Sequence, residues 1–221
     1  MGVRSALLVG ATGLVGNELL RLLPASGLYS SITTLGRRKP QHEHALIQHR
    51  VCDPSALDTV PSADTLFCCL GTTIKRAGSR NAFRAVDFGL VTRIASLAAA
   101  AGSDSFIVVS SVGADAASGN FYLRVKGEME DAIAKTAFAK SGFIRPSLLL
   151  GSREEFRPAE KLGTLAARLI NPLLLGPLDR YKAVAADTVA AAMIGLDQSD
   201  YSGQRTVEGD EIRGLAATLQ R

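Results

Sequence analysis

The chain of 221 residues has no tryptophan and only three cysteines, which limits how it can be held together. Cys52, Cys68 and Cys69 are an odd number without the spacing of a metal site, so neither a disulfide framework nor a zinc module is expected. Cys68 and Cys69 stand in an apolar run, where free cysteine behaves as a small buried hydrophobe. We therefore assign this pair to the core.

Long apolar runs and concentrated charge are also lacking. No stretch of about eighteen apolar residues occurs, so no membrane span is predicted. The net charge is only +4 and the one basic run is Arg37-Arg38-Lys39, so nucleic acid is not an expected partner. Surface positions are favoured over a metal site for the three histidines, which are His42, His44 and His49. The first strand starts too early to leave room for a signal peptide, which predicts a cytoplasmic protein.

The most informative feature present is a glycine-rich segment at residues 10–16, Gly-Ala-Thr-Gly-Leu-Val-Gly. It follows an apolar strand pattern and opens an amphipathic helix pattern, which is the context a dinucleotide-binding turn requires. A tight turn without a ligand is the alternative, and the flanking elements disfavour it. Glycines permit the turn and the close approach of backbone N–H groups to a pyrophosphate, above the positive end of the helix. The predicted cofactor-binding residues are Gly10, Thr12, Gly13, Leu14, Val15 and Gly16.

Strand and helix patterns alternate along the chain. Strands are predicted at about 4–9, 31–36, 45–51, 64–70, 104–110, 142–147 and 204–208, and helices at about 14–23, 80–101, 119–140, 155–169, 187–196 and 210–220. Gly102 and Gly142 are expected to end the helices at 80–101 and 119–140. This order predicts an α/β fold, a doubly wound parallel sheet of the Rossmann type with helices on both faces. One domain over 1–221 is expected, with 151–221 contributing a small substrate-side lobe.

In such a sheet, ligands lie beyond the carboxyl ends of the strands, so the residues there are the candidates for cofactor binding. The second strand ends without an acidic residue to bind the ribose hydroxyls of NAD, and Arg37 and Arg38 can instead clamp a 2′-phosphate. A solvated basic turn is the alternative, and NADP(H) is favoured over NAD(H). Asp53 follows the third strand and either meets the adenine amino group or caps the turn at Pro54.

The fourth strand ends at Leu70, Gly71 and Thr72, which are predicted to bind the cofactor. A glycine there lets the chain pass close beneath the ribose and diphosphate. Thr72 and its neighbour Thr73 either donate to phosphate or start a turn.

A second constellation combines Ser110-Ser111 at the end of the fifth strand with Tyr122 and Lys126. Residues four apart share one face of a helix, so Tyr122 and Lys126 are expected to point the same way. A lysine cation one turn away stabilises a phenolate, which lets tyrosine work as an acid–base group. Ser111 is predicted to hydrogen-bond a substrate carbonyl during hydride transfer, and Lys126 to bind the nicotinamide ribose as well.

These motifs resemble the short-chain dehydrogenases/reductases, and more narrowly the atypical branch that includes the HIV Tat-interacting oxidoreductase-like proteins. The resemblance rests on the glycine-rich segment, Leu-Gly-Arg-Arg at 35–38, Cys-Leu-Gly-Thr-Thr at 69–73, the serine pair and Tyr-Leu-Arg-Val-Lys-Gly-Glu at 122–128. It implies a Rossmann domain that binds NADP(H), with Ser111, Tyr122 and Lys126 as the catalytic triad. It also implies that Arg145, Pro146 and Ser147 flank the nicotinamide, with a purely structural role for Pro146 as the alternative.

Asp87 departs from the family pattern, because the larger family often places an asparagine in this helix to hold a proton-relay water. Its carboxylate can simply pair with Arg84 on the helix surface. The segment 162–175 either caps an apolar substrate pocket or, as favoured, belongs to the core. The alanine-rich segment 97–101 either packs against a second copy of the chain or faces the sheet.

The sequence therefore predicts an NADP(H)-dependent oxidoreductase acting on a small, apolar carbonyl or alcohol. An NADPH-binding regulatory or scaffold protein with little turnover is the alternative, and a structural protein with a relic motif is a third.

Overall fold

The computed structural model describes residues 3–150 and 180–219. Seven parallel strands form one sheet in the order β3-β2-β1-β4-β5-β6-β9. Their bounds are β1 (Arg4–Val9), β2 (Tyr29–Gly36), β3 (Ile47–Val51), β4 (Thr65–Cys68), β5 (Ser105–Val109), β6 (Lys140–Arg145) and β9 (Gly203–Glu208). The short strands β7 (Leu149–Leu150) and β8 (Val184–Ala185) pair in a separate two-stranded sheet.

Helices connect the strands. They are α1 (Leu14–Ala25), α2 (Ile74–Ala77), α3 (Arg80–Arg84), α4 (Val91–Ala100), α5 (Phe121–Ala134), α6 (Ala186–Gln198) and α7 (Asp210–Thr218). A π-helical turn at Ala85–Leu90 joins α3 to α4, and a short 3-10 turn occupies Pro54–Ala56. None of the helices among the described residues is long and apolar enough to cross a bilayer.

Both faces of the sheet are covered, which explains the nearly continuous apolar character of its central strands. Successive side chains of a strand point to opposite faces, so Leu8 packs with α1 and α6 while Leu7 packs with α4. Phe67 and Phe106 lie in these two separate core clusters, and both are fully buried. The predicted doubly wound Rossmann-type fold is confirmed.

The seven predicted strands are all present in the main sheet, with ends shifted by up to two residues. The prediction for Gly142 is wrong, because this residue lies inside β6 and α5 already ends at Ala134. A β-carbon at Gly142 would lie 2.6 Å from Ile107 Cδ1 and 2.7 Å from Leu196 Cδ2. The glycine therefore serves close packing of α6 on the sheet rather than a helix end.

Of the C-terminal lobe predicted for 151–221, the structure describes residues 180–219. β9 extends the main sheet beside β6, and α6 packs on α1 as well as on α7. The apolar face of α6 buries Val189, Met193 and Leu196 in the same core cluster as Leu8, which draws residues 186–218 into the main body of the fold. The helix predicted at 155–169 and the segment 162–175 lie outside the described residues.

Candidate nucleotide-binding and catalytic site

The glycine turn after β1 is shaped by two close backbone approaches. Gly10 has a φ of 84°, and a β-carbon there would lie 2.6 Å from the carbonyl carbon of Cys69. A β-carbon at Gly16 would lie 2.1 Å from the Gly10 carbonyl oxygen. The Gly13 N–H donates to that same oxygen at 2.9 Å. Any larger side chain at Gly10 or Gly16 would therefore push the turn away from β4 or from α1.

The helix that follows this turn begins without a side-chain cap. Gly13 is its N-cap residue and no side chain accepts a hydrogen bond from its first turn, which also contains no acidic residue. Backbone N–H groups of a first turn have no intrahelical partners, and the helix dipole favours an anion there. Thr12 is exposed beside them, Leu14 is half-buried and Val15 is buried in the core. This end of α1 fits the diphosphate of a dinucleotide.

Arg37 and Arg38 follow β2 and both are exposed. Asp53, after β3, caps the 3-10 turn, because its Oδ1 accepts from the Ser55 N–H at 3.0 Å and from the Ser55 hydroxyl at 2.8 Å. These bonds, and to a smaller degree the charge of Arg37, hold the pKa of Asp53 below its ordinary value. The structure thus gives Asp53 the capping role that was one of its two alternatives, while its contact with adenine stays a prediction.

The turn after β4 rests on a buried ion pair. Lys126 Nζ lies 2.8 Å from Asp87 Oδ1, and the two residues are 4% and 0% exposed. Asp87 Oδ2 accepts from the Thr72 N–H at 2.9 Å. A β-carbon at Gly71 would lie 3.4 Å from Asp87 Oδ1. Asp87 does not pair with Arg84, which instead forms an ion pair with Glu128.

Helix α5 carries Tyr122, Lys126 and Glu130 at intervals of four residues. Asn120 caps it by accepting from the Tyr122 N–H at 2.9 Å. Tyr122 is half-buried, with its ring centroid 5.4 Å from that of Phe83, whereas Lys126 and Glu130 further along are buried. This four-residue spacing places the three side chains on one helix face.

The loop after β5 lies directly on α5. A β-carbon at Gly127 would be 2.2 Å from the Ala116 nitrogen, so only glycine permits this contact without a shift. Ser111 in this loop is half-buried, with its hydroxyl 3.4 Å from the Val112 carbonyl. Ser110 is buried, and its hydroxyl has no hydrogen-bond partner within the part of the chain that the structure describes.

The segment after β6 is tied down by its own polar groups. Arg145 Nε donates to Glu130 Oε1 at 2.9 Å, and its Nη1 donates to Glu208 Oε1 at 3.0 Å. The Pro146 carbonyl accepts from the Val112 N–H at 3.0 Å, and the Ser147 hydroxyl donates to the Lys182 carbonyl. Arg145 therefore links α5, β6 and β9, and its predicted cofactor contact stays a prediction.

The predicted residues come together at the carboxyl edge of the sheet, after β1, β2, β4, β5 and β6. Sequence reasoning misjudged the partner of Asp87 and did not single out Glu130. The spacing Tyr122, Lys126, Glu130 was the available signal for Glu130, because it continues one helix face. In residues 3–150 and 180–219, no three His, Cys, Asp or Glu side chains cluster in a way that could hold a metal ion.

Comparison with known proteins agrees with this geometry. Residues 6–179 match the NAD dependent epimerase/dehydratase family. The chain is 37% identical over 208 residues to Protein HTATIP2 of Rattus norvegicus, covering 91% of this chain and 84% of that protein. It is 32% identical over 230 residues to Protein FMP52, mitochondrial, of Candida albicans, covering 97% and 99%. The solved structure of MoeE5 in complex with UDP-glucose and NAD shares the fold with a TM-score of 0.69 at 16% identity, over 97% of this chain and 81% of that one.

The fold, the glycine turn and the relatives define this chain as a nucleotide-binding protein of the oxidoreductase type. They also support a nicotinamide cofactor. The chain belongs to the NAD dependent epimerase/dehydratase family, which confirms the resemblance to short-chain dehydrogenases/reductases. The relatives contradict one expectation. The fungal proteins that match are named as mitochondrial, so the predicted cytoplasmic location is wrong.

Proposed function

We propose that this protein is an NADP(H)-dependent oxidoreductase that interconverts a small, apolar carbonyl compound and its alcohol. The observation that carries the proposal is the buried Lys126 ammonium, one helical turn from Tyr122 and beside the turn after β4. A lysine is buried in this way only when its charge is compensated, as it is here by Asp87. A bound nicotinamide would supply or accept the hydride.

The roles of the side chains follow from their placement. Tyr122, exchanging a proton at its hydroxyl, serves as the acid–base group, and the Lys126 cation favours its phenolate form. Ser111 hydrogen-bonds the carbonyl oxygen and orients it. The uncapped first turn of α1 binds the diphosphate, and Gly71 lets the ribose lie close to the turn after β4.

Exposed Arg37 and Arg38 support NADP(H) over NAD(H), since two guanidinium groups suit a 2′-phosphate. Calorimetric titration of the full chain with NADPH and with NADH tests this, with the Arg37→Ala/Arg38→Ala variant beside it. We expect at least about tenfold tighter binding of NADPH, about 1.4 kcal/mol, and loss of that preference in the variant. Arg50→Ala, which also removes an exposed arginine, is the control. Failure to bind either nucleotide would overturn the proposed function.

Turnover is tested with a panel of small ketones, aldehydes and quinones. Tyr122→Phe keeps the ring contact with Phe83 but removes the hydroxyl, and we expect it to lower kcat by about 100-fold or more. Ser110→Ala and Ser111→Ala identify the serine that contacts the substrate.

A second function, binding NADPH without turnover, has one observation in its favour. The Asp87 carboxylate compensates the charge of Lys126, which weakens the help that this lysine gives to a phenolate. NADPH binding without reduction of any compound in the panel would support this function over the enzyme.

A further inference from the structure

The contact between Asp87 and Lys126 is an enclosed ion pair, not a surface salt bridge. The two side chains are 1% and 5% exposed, and they come from different elements, the π-helical turn and α5. Removing two charges from water is costly unless each has close partners, so such a pair is rarely retained for stability alone. Its place beside the turn after β4 suggests a functional reason.

The same carboxylate also holds that turn. Its second oxygen accepts from the Thr72 N–H at 2.9 Å, so one side chain connects α5 to the chain leaving β4. The turn lies close over the pair, because a β-carbon at Gly71 would be 3.4 Å from Asp87 Oδ1 and 3.9 Å from Lys126 Nζ. Displacement of Lys126 would therefore shift the backbone at Gly71 and Thr72, two of the predicted cofactor-binding residues.

The backbone around Asp87 is unusual. The helix that runs from Arg80 to Ala100 widens into a π-helical turn at Ala85–Leu90. The backbone hydrogen bonds are irregular at this turn, and the Thr92 hydroxyl donates a hydrogen bond to the Phe88 carbonyl at 2.9 Å. Single π-helical turns within α-helices occur frequently at functional sites, because they re-aim one side chain.

We propose that Asp87 is a positioning residue that fixes the Lys126 ammonium and the Gly71–Thr72 backbone as one unit beneath the nicotinamide ribose. This inference rests on the proposed function, since it assigns Asp87 a task within the same site. Asp87 acts through Lys126 and Thr72 and does not itself touch substrate.

The charges around Lys126 predict how the site responds to pH. Burial lowers the pKa of Lys126, but Asp87, Tyr122 and Cys68 raise it, and the net pKa lies above its ordinary value. The lysine is therefore a cation whose charge is compensated by Asp87. In an Asp87→Asn variant burial would lower the pKa of Lys126 without that compensation, so the lysine would carry its charge less fully and the phenolate of Tyr122 would form only at higher pH.

A double-mutant cycle on NADPH affinity tests the coupling. The full-length protein is titrated with NADPH by calorimetry as wild type, Asp87→Asn, Lys126→Met and the double variant. Asp64→Asn is the matched control, because Asp64 also accepts a backbone N–H, from Ser5 at 2.6 Å, but at the opposite edge of the sheet. Circular dichroism verifies that each variant is folded.

We expect Asp87→Asn to weaken NADPH binding about tenfold, and the double variant to bind within about twofold of Lys126→Met, because the two residues act as one unit. Additive effects, or an unchanged affinity in Asp87→Asn, would overturn the inference while the proposed function stands. A loss as large in Asp64→Asn would also overturn it. Absence of NADPH binding by the wild type would instead overturn the proposed function.

The pH profile is the readout that a purely structural role would not move. With whichever carbonyl of the panel is reduced, the pH of half-maximal rate is compared between wild type and Asp87→Asn. We expect the variant's value to lie about half a unit or more toward alkaline pH, because a less fully charged Lys126 stabilises the phenolate of Tyr122 less. An unchanged value would show that Asp87 does not govern the charge at Lys126, and would contradict the inference.

Discussion

The amino and carboxyl edges of the sheet each enclose a carboxylate, and they surround it in different ways. At the amino edge Asp197 accepts from the Tyr29 hydroxyl at 2.7 Å and from the Thr65 hydroxyl at 3.0 Å. Gln198 donates to it at 3.0 Å, and Arg4 Nε lies 3.7 Å away. These partners stand near the first residues of β1, β2 and β4 and at the end of α6, so Asp197 joins four elements.

At the carboxyl edge, among the residues that the structure describes, Asp87 has two partners, Lys126 and the Thr72 N–H. Asp87 lies in a π-helical turn, and its partners belong to α5 and to the turn after β4 rather than to the first residues of strands. A fully satisfied network of buried hydrogen bonds makes a fold rigid, whereas a buried ion pair with few further partners adds little net stability. The comparison indicates that this chain uses the amino edge for stability and the carboxyl edge for its proposed function.

Removal of the Asp197 carboxylate should produce the largest change in stability. Asp197→Ala leaves the buried Tyr29 and Thr65 hydroxyls without their acceptor, and we expect the free energy of unfolding to fall by about 3–5 kcal/mol. Urea denaturation measures this effect. NADPH affinity of the folded protein should stay within about twofold of wild type, because the amino edge lies at the far end of the strands. A large loss of NADPH affinity in a fully folded Asp197→Ala variant would contradict the separate roles of the two edges.

The division also explains what the sequence could and could not predict. The glycine turn and the Tyr122–Lys126 spacing are local patterns, so their place at the carboxyl edge follows once the strands are recognised. The partner of Asp87 depends on a π-helical turn, which shifts the helical register and has no clear sequence signal. The Asp197 contacts with Tyr29 and Thr65 span 168 and 132 residues, and only the packed tertiary structure brings them together.

Gly142 is a second residue whose role depends on tertiary packing rather than on the local sequence. A glycine after a helical pattern indicates a helix end, and that local rule placed the end of α5 six residues too late. The residue is needed inside β6, where Leu196 of α6 approaches the strand closely. This requirement arises from Leu196, more than fifty positions further along the chain, which a local pattern cannot reveal.

Gly127→Ala tests the carboxyl edge at the point where the loop after β5 lies on α5. The new methyl group would meet the Ala116 nitrogen at 2.2 Å, so the loop must move. We expect a loss of about 1–3 kcal/mol in the free energy of unfolding, partly offset by the better helix propensity of alanine. Because the loop carries Ser111, turnover should fall more than stability predicts. Gly119→Ala, where a β-carbon meets nothing within 4 Å, is the control.

An effect confined to alkaline pH concerns the end of β4. Burial raises the pKa of the Cys68 thiol from 9.0 to about 12, so the folded state keeps a proton that the unfolded chain loses. This contribution to stability is complete below pH 9 and is lost as pH rises toward about 12, with a slope of at most about 1.4 kcal/mol per pH unit. Cys68→Ala should flatten the pH dependence of urea unfolding between pH 9 and 10.5, whereas Cys52→Ala, at a half-buried position, serves as the control. An equal slope of unfolding free energy against pH in wild type and Cys68→Ala would mean that the Cys68 thiol is accessible to solvent at the end of β4. The carboxyl edge would then be less tightly packed than the buried Asp87–Lys126 pair implies.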